Sequence, residues 1–349
     1  MAALLDLFIR QIHFQTIQSG SSLSGIPYDR CSHDCIFKPH TANPAVAVLS
    51  TALHLHFVNA PNFHNLQLGI VIPTFNRSAV LYELLSELTT QAAQLNPQPL
   101  IIIVNDGSTD DTAGLPSKFD YPIHCVHGDG QWWFTRCADE GARYAIARGC
   151  TAIQIINDDS RIAGDFLLHT LNHIATSGVN YVFAPISVTF EKPHRVMFSG
   201  VKLRHFGLKR MRNTPPMGSY MPSSSSIESD VLPGRGLTFS SEIFQLVKGF
   251  DCDFLQYHSD EDFCLRAKSK GVQPLVHTDI VLYAHHLMTS SGSTLKKASF
   301  RQLMGDLFKR QSRVYLPDRI RIIAKHQPML IAPFLLIAQL ILIIRSNLK

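Results

Sequence analysis

Three short apolar runs, at residues 68–72, 100–104 and 153–156, each break off where the chain turns or becomes polar: at Pro73, at Asn105 and Asp106, and at Asn157, Asp158 and Asp159. Runs of this length are too short for helices, and apolarity without alternation marks strands buried on both faces. Between the first two runs Val80, Leu81, Leu84, Leu85 and Leu88 recur at spacings of three and four, the pattern of a helix with one buried face. Strands and helices in alternation predict an α/β chain whose mostly parallel, Rossmann-like sheet is flanked by helices. The same reading gives a strand at 123–126, a helix over 138–148 closed by Gly149, an apolar segment at 181–188, and helices over 240–248 and 260–270. Such sheets bind ligands at the carboxyl ends of their strands, and Asp106 and Asp158 both fall there.

Adjacent acids at a strand end have two readings. Carboxylates are hard oxygen ligands for Mg2+ or Mn2+, ions that enter protein sites together with the phosphates they help bind. An Asp-rich turn closed by its own side chains is the alternative. Composition bounds the partners. A chain of 349 residues that is 45% hydrophobic and 17% charged buries a sizeable core. A net charge of +5, from 32 bases against 27 acids, is too mild for nucleic acid, and no nucleic-acid partner is expected. The charge is uneven: Lys192, Arg195, Lys202, Arg204, Lys209, Arg210 and Arg212 meet only Glu191 over residues 191–212. That stretch is a solvated face or a landing surface for an anionic substrate or lipid headgroup. Seven scattered cysteines, an odd number, read as reduced thiols and fit a cytoplasmic location.

Residues 1–66 lack sustained periodicity and are expected to form a poorly ordered extension, without the basic start and cleavage site of a signal peptide. A catalytic domain is expected over 67–290 and a helical C-terminal segment over 291–349. The apolar stretch at 330–344, broken by Pro333 and Gln339, falls short of the roughly 20 residues that span a bilayer. Arg319, Arg321 and Lys325 precede it, and Arg345 and Lys349 follow. It therefore suits either peripheral contact with an anionic membrane, on its cytoplasmic face, or packing on the domain.

The segments IVIPTFNRSAVL, IIIVNDGSTDDT, IQIINDDS and SDEDFCLRAKSKG follow one another in this order. Together they resemble the inverting family 2 glycosyltransferases of GT-A fold, over about residues 68–287. The intervening GDGQWWFTRCADEGARYA is similar to the rhamnosyltransferase-like and galactofuranosyltransferase-like members. The resemblance implies that Pro73, Thr74, Asn76 and Arg77 line a nucleotide pocket and that Asp106 accepts a hydrogen bond from a pyrimidine base. Asn157, Asp158 and Asp159 stand in the place of the family's Asp-X-Asp motif. Asp159 is the implied ligand of Mg2+ or Mn2+, and Asp158 meets the ribose or bridges to the metal. In SDEDFCLR, Ser259 replaces the first family acid, Asp260 is the general base with Glu261 as the fallback, and Asp262 is the second acid. His285, or less favourably His286, completes the metal set. Residues 232–236 (LPGRG) resemble the flexible segment beside the acceptor, with Arg235 near the diphosphate. Trp132 and Trp133 stack on a sugar or fill the core.

The implied function is transfer of a sugar from a nucleotide diphosphate sugar to a hydroxyl of a saccharide or lipid-linked saccharide, in polysaccharide or cell-wall biosynthesis. Two rivals stand beside it. A sugar nucleotidyltransferase would open its sheet with a Gly-rich phosphate loop, where this chain has PTFNRS. A catalytically silent sugar-binding or scaffold protein would keep the fold alone.

Overall fold

A computed structural model describes residues 66–204, 209–212, 218–221, 223–284, 299–310, 312 and 314–347. Its centre is a ten-stranded sheet. β1 (Leu68–Thr74) lies between β2 (Leu100–Asn105) and β4 (Ala152–Ile155), and β3 (Ile123–His127) flanks β2, all parallel. β11 (Leu237–Ser240) runs antiparallel to β4 on one side and to β6 (Val182–Thr189) on the other. β6 and its parallel neighbour β12 (Leu275–Ala284) therefore point the same way as β1. Short β5 (Ser160–Ile162) and β10 (Ser226–Glu228) pair with β12, and β7 (Val196–Phe198) pairs with β6. Apart from this sheet, β8 (Val201–Arg204) pairs with β9 (Lys209–Arg212).

Alternate residues of a strand face opposite sides, and each side carries its own helices. Ile70, Ile72, Ile101 and Ile103 pack with Leu81, Leu84, Leu85 and Leu88 of α1 (Ser78–Ala92) and with Phe166 and Leu171 of α3 (Phe166–Thr176). Val71, Ile102, Val104, Ile153 and Ile155 pack with Ala138, Ala142 and Ala145 of α2 (Trp133–Ala147). Phe244 of α4 (Ser241–Val247) and Phe263 of α5 (Ser259–Ser269) complete that layer. Each fully buried aliphatic side chain contributes about 1.5–3 kcal/mol. Gly141 lets α2 press onto β1 and β2, since a Cβ there would collide with Val71 and Val104.

α2 starts five residues before the expected position 138, and the cause lies on another element. Asp106, just past β2, accepts backbone N–H bonds from Gly130 (2.8 Å) and Trp132 (3.2 Å) on Oδ1 and from Trp133 (2.9 Å) on Oδ2. The N–H groups of Trp132 and Trp133 are donors that a helix start leaves unpaired, capped here from 26 and 27 residues away in sequence, while Gly130 ties down the preceding loop.

After β12 come α6 (Phe300–Phe308), α7 (Leu316–His326) and α8 (Ala332–Asn347), which share a small core of Leu303, Leu307, Val314 and Ile343. α7 is bound to the start of α5. Lys325 Nζ and His326 Nε2 lie 2.9 and 2.7 Å from Asp262 Oδ1, Lys325 also reaches Asp251 Oδ2 at 2.7 Å, and Arg321 donates to the Asp253 carbonyl at 2.7 Å. Arg321 and Lys325, read from sequence as bases flanking a membrane-facing stretch, thus spend their charge inside the molecule. α8 buries Leu335 and Ile343 but leaves Phe334 72% and Ile337 56% exposed. Among the described residues, no helix is long and apolar enough to cross a membrane.

Candidate active site

Because β1 and β4 are parallel neighbours, their carboxyl ends bring Thr74 and the acids after β4 to one edge of the sheet. Thr74 Oγ1 donates to Asp158 Oδ2 at 2.9 Å. Arg77, at the start of α1, lies 3.1 Å from Asp158 Oδ1 and 3.4 Å from Asp159 Oδ2. Arg235 approaches from the turn before β11 and donates to Asp159 Oδ1 at 2.9 Å. Both acids are buried. Burial pushes the Asp158 carboxyl up to about 6 in spite of Arg77, and the charge of Asp159 adds to the rise. The neighbouring Asn157 Oδ1 is buried and meets no donor among the described residues.

The strand runs through the half-buried Pro73 to Thr74, and Asn76 takes a left-handed conformation at φ 52°. The Asn76 Oδ1 accepts from the Thr109 N–H at 2.7 Å, and its own N–H donates to Ser108 Oγ at 2.9 Å. Asn76 therefore fastens the turn after β1 to the loop after β2. Asp106 sits at the β2 end, where the sequence placed it, with its carboxylate engaged by the loop that starts α2.

The second acid group lies at the start of α5. Asp260 is partly buried; its Oδ2 accepts from the Gly234 N–H at 2.8 Å and its Oδ1 from the Glu261 N–H at 2.9 Å. Burial raises it to about 6, and the neighbouring charge of Glu261 adds to the effect. Gly234 has no side-chain alternative here, because a Cβ would run into the ring of Phe134. Asp262 faces elsewhere: Arg266 Nη2 at 2.7 Å, Lys325 and His326 surround it. Burial opposes its charge, yet hydrogen bonds from His326 and Lys325 and the Arg266 cation hold its carboxyl below the ordinary value.

Two consecutive residues join the clusters. Gly234 holds Asp260 and Arg235 holds Asp159, while the next N–H, of Gly236, donates to the Ile155 carbonyl at 2.7 Å and fixes the turn on β4. β12 arrives at the same place, for its last residue Ala284 pairs with Ser160, the neighbour of Asp159. His285 and His286 lie outside the described residues. Trp132 packs against the core with the Arg136 guanidinium 4.8 Å above its ring. The buried Trp133 Nε1 meets no acceptor among the described residues.

Residues 69–227 match the family model described as Glycosyl transferase family 2. This segment is a family 2 glycosyltransferase domain. The chain is 22% identical over 213 residues to the dTDP-rhamnosyl transferase RfbF of Shigella flexneri, a match covering 61% of this chain and 66% of that protein. The chain thus spans just under two thirds of that relative's length. Among solved structures it resembles the mannosyltransferase PcManGT of Pyrobaculum calidifontis in complex with GDP-Man and Mn2+, with a TM-score of 0.50 and 14% identity over 87% of this chain and 84% of that one. GalNAc-T7 with UDP, GalNAc and Mn2+ gives a TM-score of 0.52 and 10% identity over 78% of this chain and 56% of that one. These likenesses establish the GT-A fold of the family 2 domain.

Several contacts at this site had no signal in the sequence. The Thr74 to Asp158 and Arg235 to Asp159 bonds link positions 84 and 76 residues apart. Nothing local pairs them; strand order does. The fate of Asp262 depends on α7, more than 50 residues downstream, and no spacing rule reaches that far.

Proposed function

We propose that this chain is an inverting glycosyltransferase that moves a sugar from a nucleotide diphosphate sugar to a hydroxyl of a saccharide or lipid-linked saccharide. One observation carries the reading: the consecutive residues Gly234 and Arg235 touch Asp260 and Asp159, so one short turn holds two acids that are far apart in sequence.

Asp260 takes the acceptor proton. A sugar hydroxyl is too weakly acidic to attack unaided, and a positioned carboxylate relieves it of its proton as the new bond forms. Held up to about 6, Asp260 is ionised at neutral pH yet more basic than an ordinary carboxylate. The N–H groups of Gly234 and Glu261 fix its orientation. Attack from the face opposite the departing diphosphate inverts the anomeric centre in a single displacement.

On the donor side, Pro73, Thr74, Asn76 and Arg77 form the turn that lines the nucleotide. Asp106 meets the base; a carboxylate oxygen accepts more than one hydrogen bond, so its loop contacts leave capacity for a base N–H. The oxygens of Asn157, Asp158 and Asp159 fit a hard divalent cation, and the unpartnered amide oxygen of Asn157 is an acceptor awaiting a positive partner. Asp159, with Asp158 bridging and His285 following β12, would hold Mg2+ or Mn2+. When bound, that ion neutralises charge developing on the leaving diphosphate. Arg77 and Arg235 add fixed positive charge beside the same acids.

The proposal includes a division into an extension over 1–66, a catalytic domain over 67–290 and a helical segment over 291–349, and a cytoplasmic setting. The exposed Phe334 and Ile337 of α8 support peripheral contact with an anionic membrane, while the internal pairing of Arg321 and Lys325 limits its electrostatic part.

The test is mass-spectrometric detection of released nucleoside diphosphate from the purified chain, Mn2+ and a panel of nucleotide sugars. Thymidine diphosphate rhamnose is the first donor to try, given the named activity of the Shigella relative. Release that depends on acceptor and is lost in Asp260→Asn, with donor binding kept, is the expected result. No release across the panel, or full turnover by Asp260→Asn, overturns the assignment. A scaffold protein would instead bind saccharide without metal-dependent nucleotide binding.

A further inference from the structure

β12 carries a second group of metal-competent side chains at its other end. His277 lies seven residues before Ala284, the residue beside the candidate active site, and seven strand residues cover roughly 20 Å. Between His277 and Val281 the strand slips register against β6. Such bulges re-aim side chains. His277 and Asp279 both meet His173, from the last turn of α3.

We infer that His173, His277 and Asp279 form a second cation site, selective for Zn2+ or a similar imidazole-preferring ion, that staples α3 to β12. One ligand atom from each residue lies within 4.8 Å of the other two. His173 Nε2 is 3.0 and 2.9 Å from the two Asp279 carboxylate oxygens. The imidazoles of His173 and His277 stack with centroids 3.7 Å apart, and Phe183 packs beside them, edge-on to His277 at 4.9 Å.

The decisive atom is His277 Nε2. His277 is 4% exposed, and this nitrogen meets no partner among the described residues. Its Nδ1 lies 2.9 Å from Ser226 Oγ. With Nδ1 protonated and donating to Ser226, Nε2 presents a buried bare lone pair, as in metal-bound histidines whose second nitrogen is held by an outer partner. Asp279 is steadied in turn, its backbone carbonyl bonded to His169 Nδ1 at 2.7 Å.

Two imidazoles and a carboxylate are a Zn2+ donor set, whereas the oxygen-only cluster at Asp158 and Asp159 suits Mg2+ or Mn2+. The two sites therefore sort ions by ligand softness. A tetrahedral ion with bonds of about 2.1 Å separates its ligands by about 3.4 Å, so binding draws the three groups together. The stacked rings, 18° from parallel, splay until both lone pairs meet the ion. His173 and Asp279 are partly exposed, which leaves an approach and a fourth position for water.

The test titrates Co2+ into the full chain carrying Asp159→Asn, so that the other acid cluster is weakened, and follows visible absorption. A tetrahedral Co2+ band that saturates at one equivalent, is competed away by Zn2+ and is lost in His277→Gln supports the site. Ser226→Ala should weaken binding about 10- to 100-fold while leaving a band. Asp279→Asn, a partly exposed change, guards against misfolding: it should abolish the Zn2+-induced rise in melting temperature while circular dichroism without metal stays as in the parent. If the parent and His277→Gln give the same absorption and the same melting shift, the cluster is an imidazole–carboxylate ion pair and the site does not exist. This outcome leaves the glycosyltransferase reading untouched, since none of the three residues belongs to it.

Discussion

The acids at 158–159 and those at 260–262 both cluster at an element boundary, and the structure treats them in opposite ways. Asp158 and Asp159 receive two guanidiniums brought from different elements, Arg77 and Arg235. The later group is split. Asp262 collects Arg266, Lys325 and His326, while its neighbour two residues earlier, Asp260, gets only backbone N–H donors. Cation supply separates the roles. Burial lifts Asp158 and Asp260 alike to about 6, so it is their contacts that differ: Asp158 is engaged by a guanidinium, whereas Asp260 is held by backbone N–H groups that leave it able to take a proton.

The largest effect that can break this contrast is on turnover. Asp260→Asn should cut kcat by roughly 100- to 10,000-fold with donor affinity little changed, measured by coupled nucleoside diphosphate release and calorimetry. Loss of donor binding instead would move Asp260 to the other class. Asp262→Asn should do the reverse. Removing one partner of a buried ion cluster costs roughly 3–5 kcal/mol, seen as a lower urea midpoint, with kcat preserved wherever the protein stays folded.

Acid titration sharpens the comparison, because the signs differ. The Asp262 carboxyl sits below its unfolded value, so its stabilisation is present above the ordinary aspartate range and fades as pH falls through the folded value. Asp260, raised to about 6, favours folding only below the unfolded value and loses that contribution as pH rises through 6. In kinetics the same shift predicts that log kcat/KM climbs to a plateau with an apparent pKa near 6. An acid limb near 4 would mean that Asp260 is not the base. The smallest expected change is in Arg235→Gln. One charge-assisted hydrogen bond is worth about 1.5 kcal/mol, so donor affinity should weaken about tenfold.

Strand positions were readable because consecutive isoleucines with no polar interruption fit only a sheet covered twice, and the faces of Ile70 and Val71 then follow from alternation. The acids at strand ends were readable for the same reason, since the turn out of a parallel strand is where polar residues can sit. Their partners were not. Arg235 and Gly234 reach the acids only because β11 slots between β4 and β6 against the direction of both, and no local pattern announces a reversed strand. The start of α2 was missed because its cap is supplied by Asp106 from a different strand. The bases near 321–325 were legible as charge but not as destination, which the docking of α7 decides.

The short turn through Gly234, Arg235 and Gly236 works as a yoke. Gly236 adopts φ 81° with Pro185 packed where a Cβ would go, so the turn has little freedom to tilt at one end alone. Anything that shifts it moves both carboxylates in step, and attempts to re-engineer sugar preference on one flank will register as altered proton handling on the other.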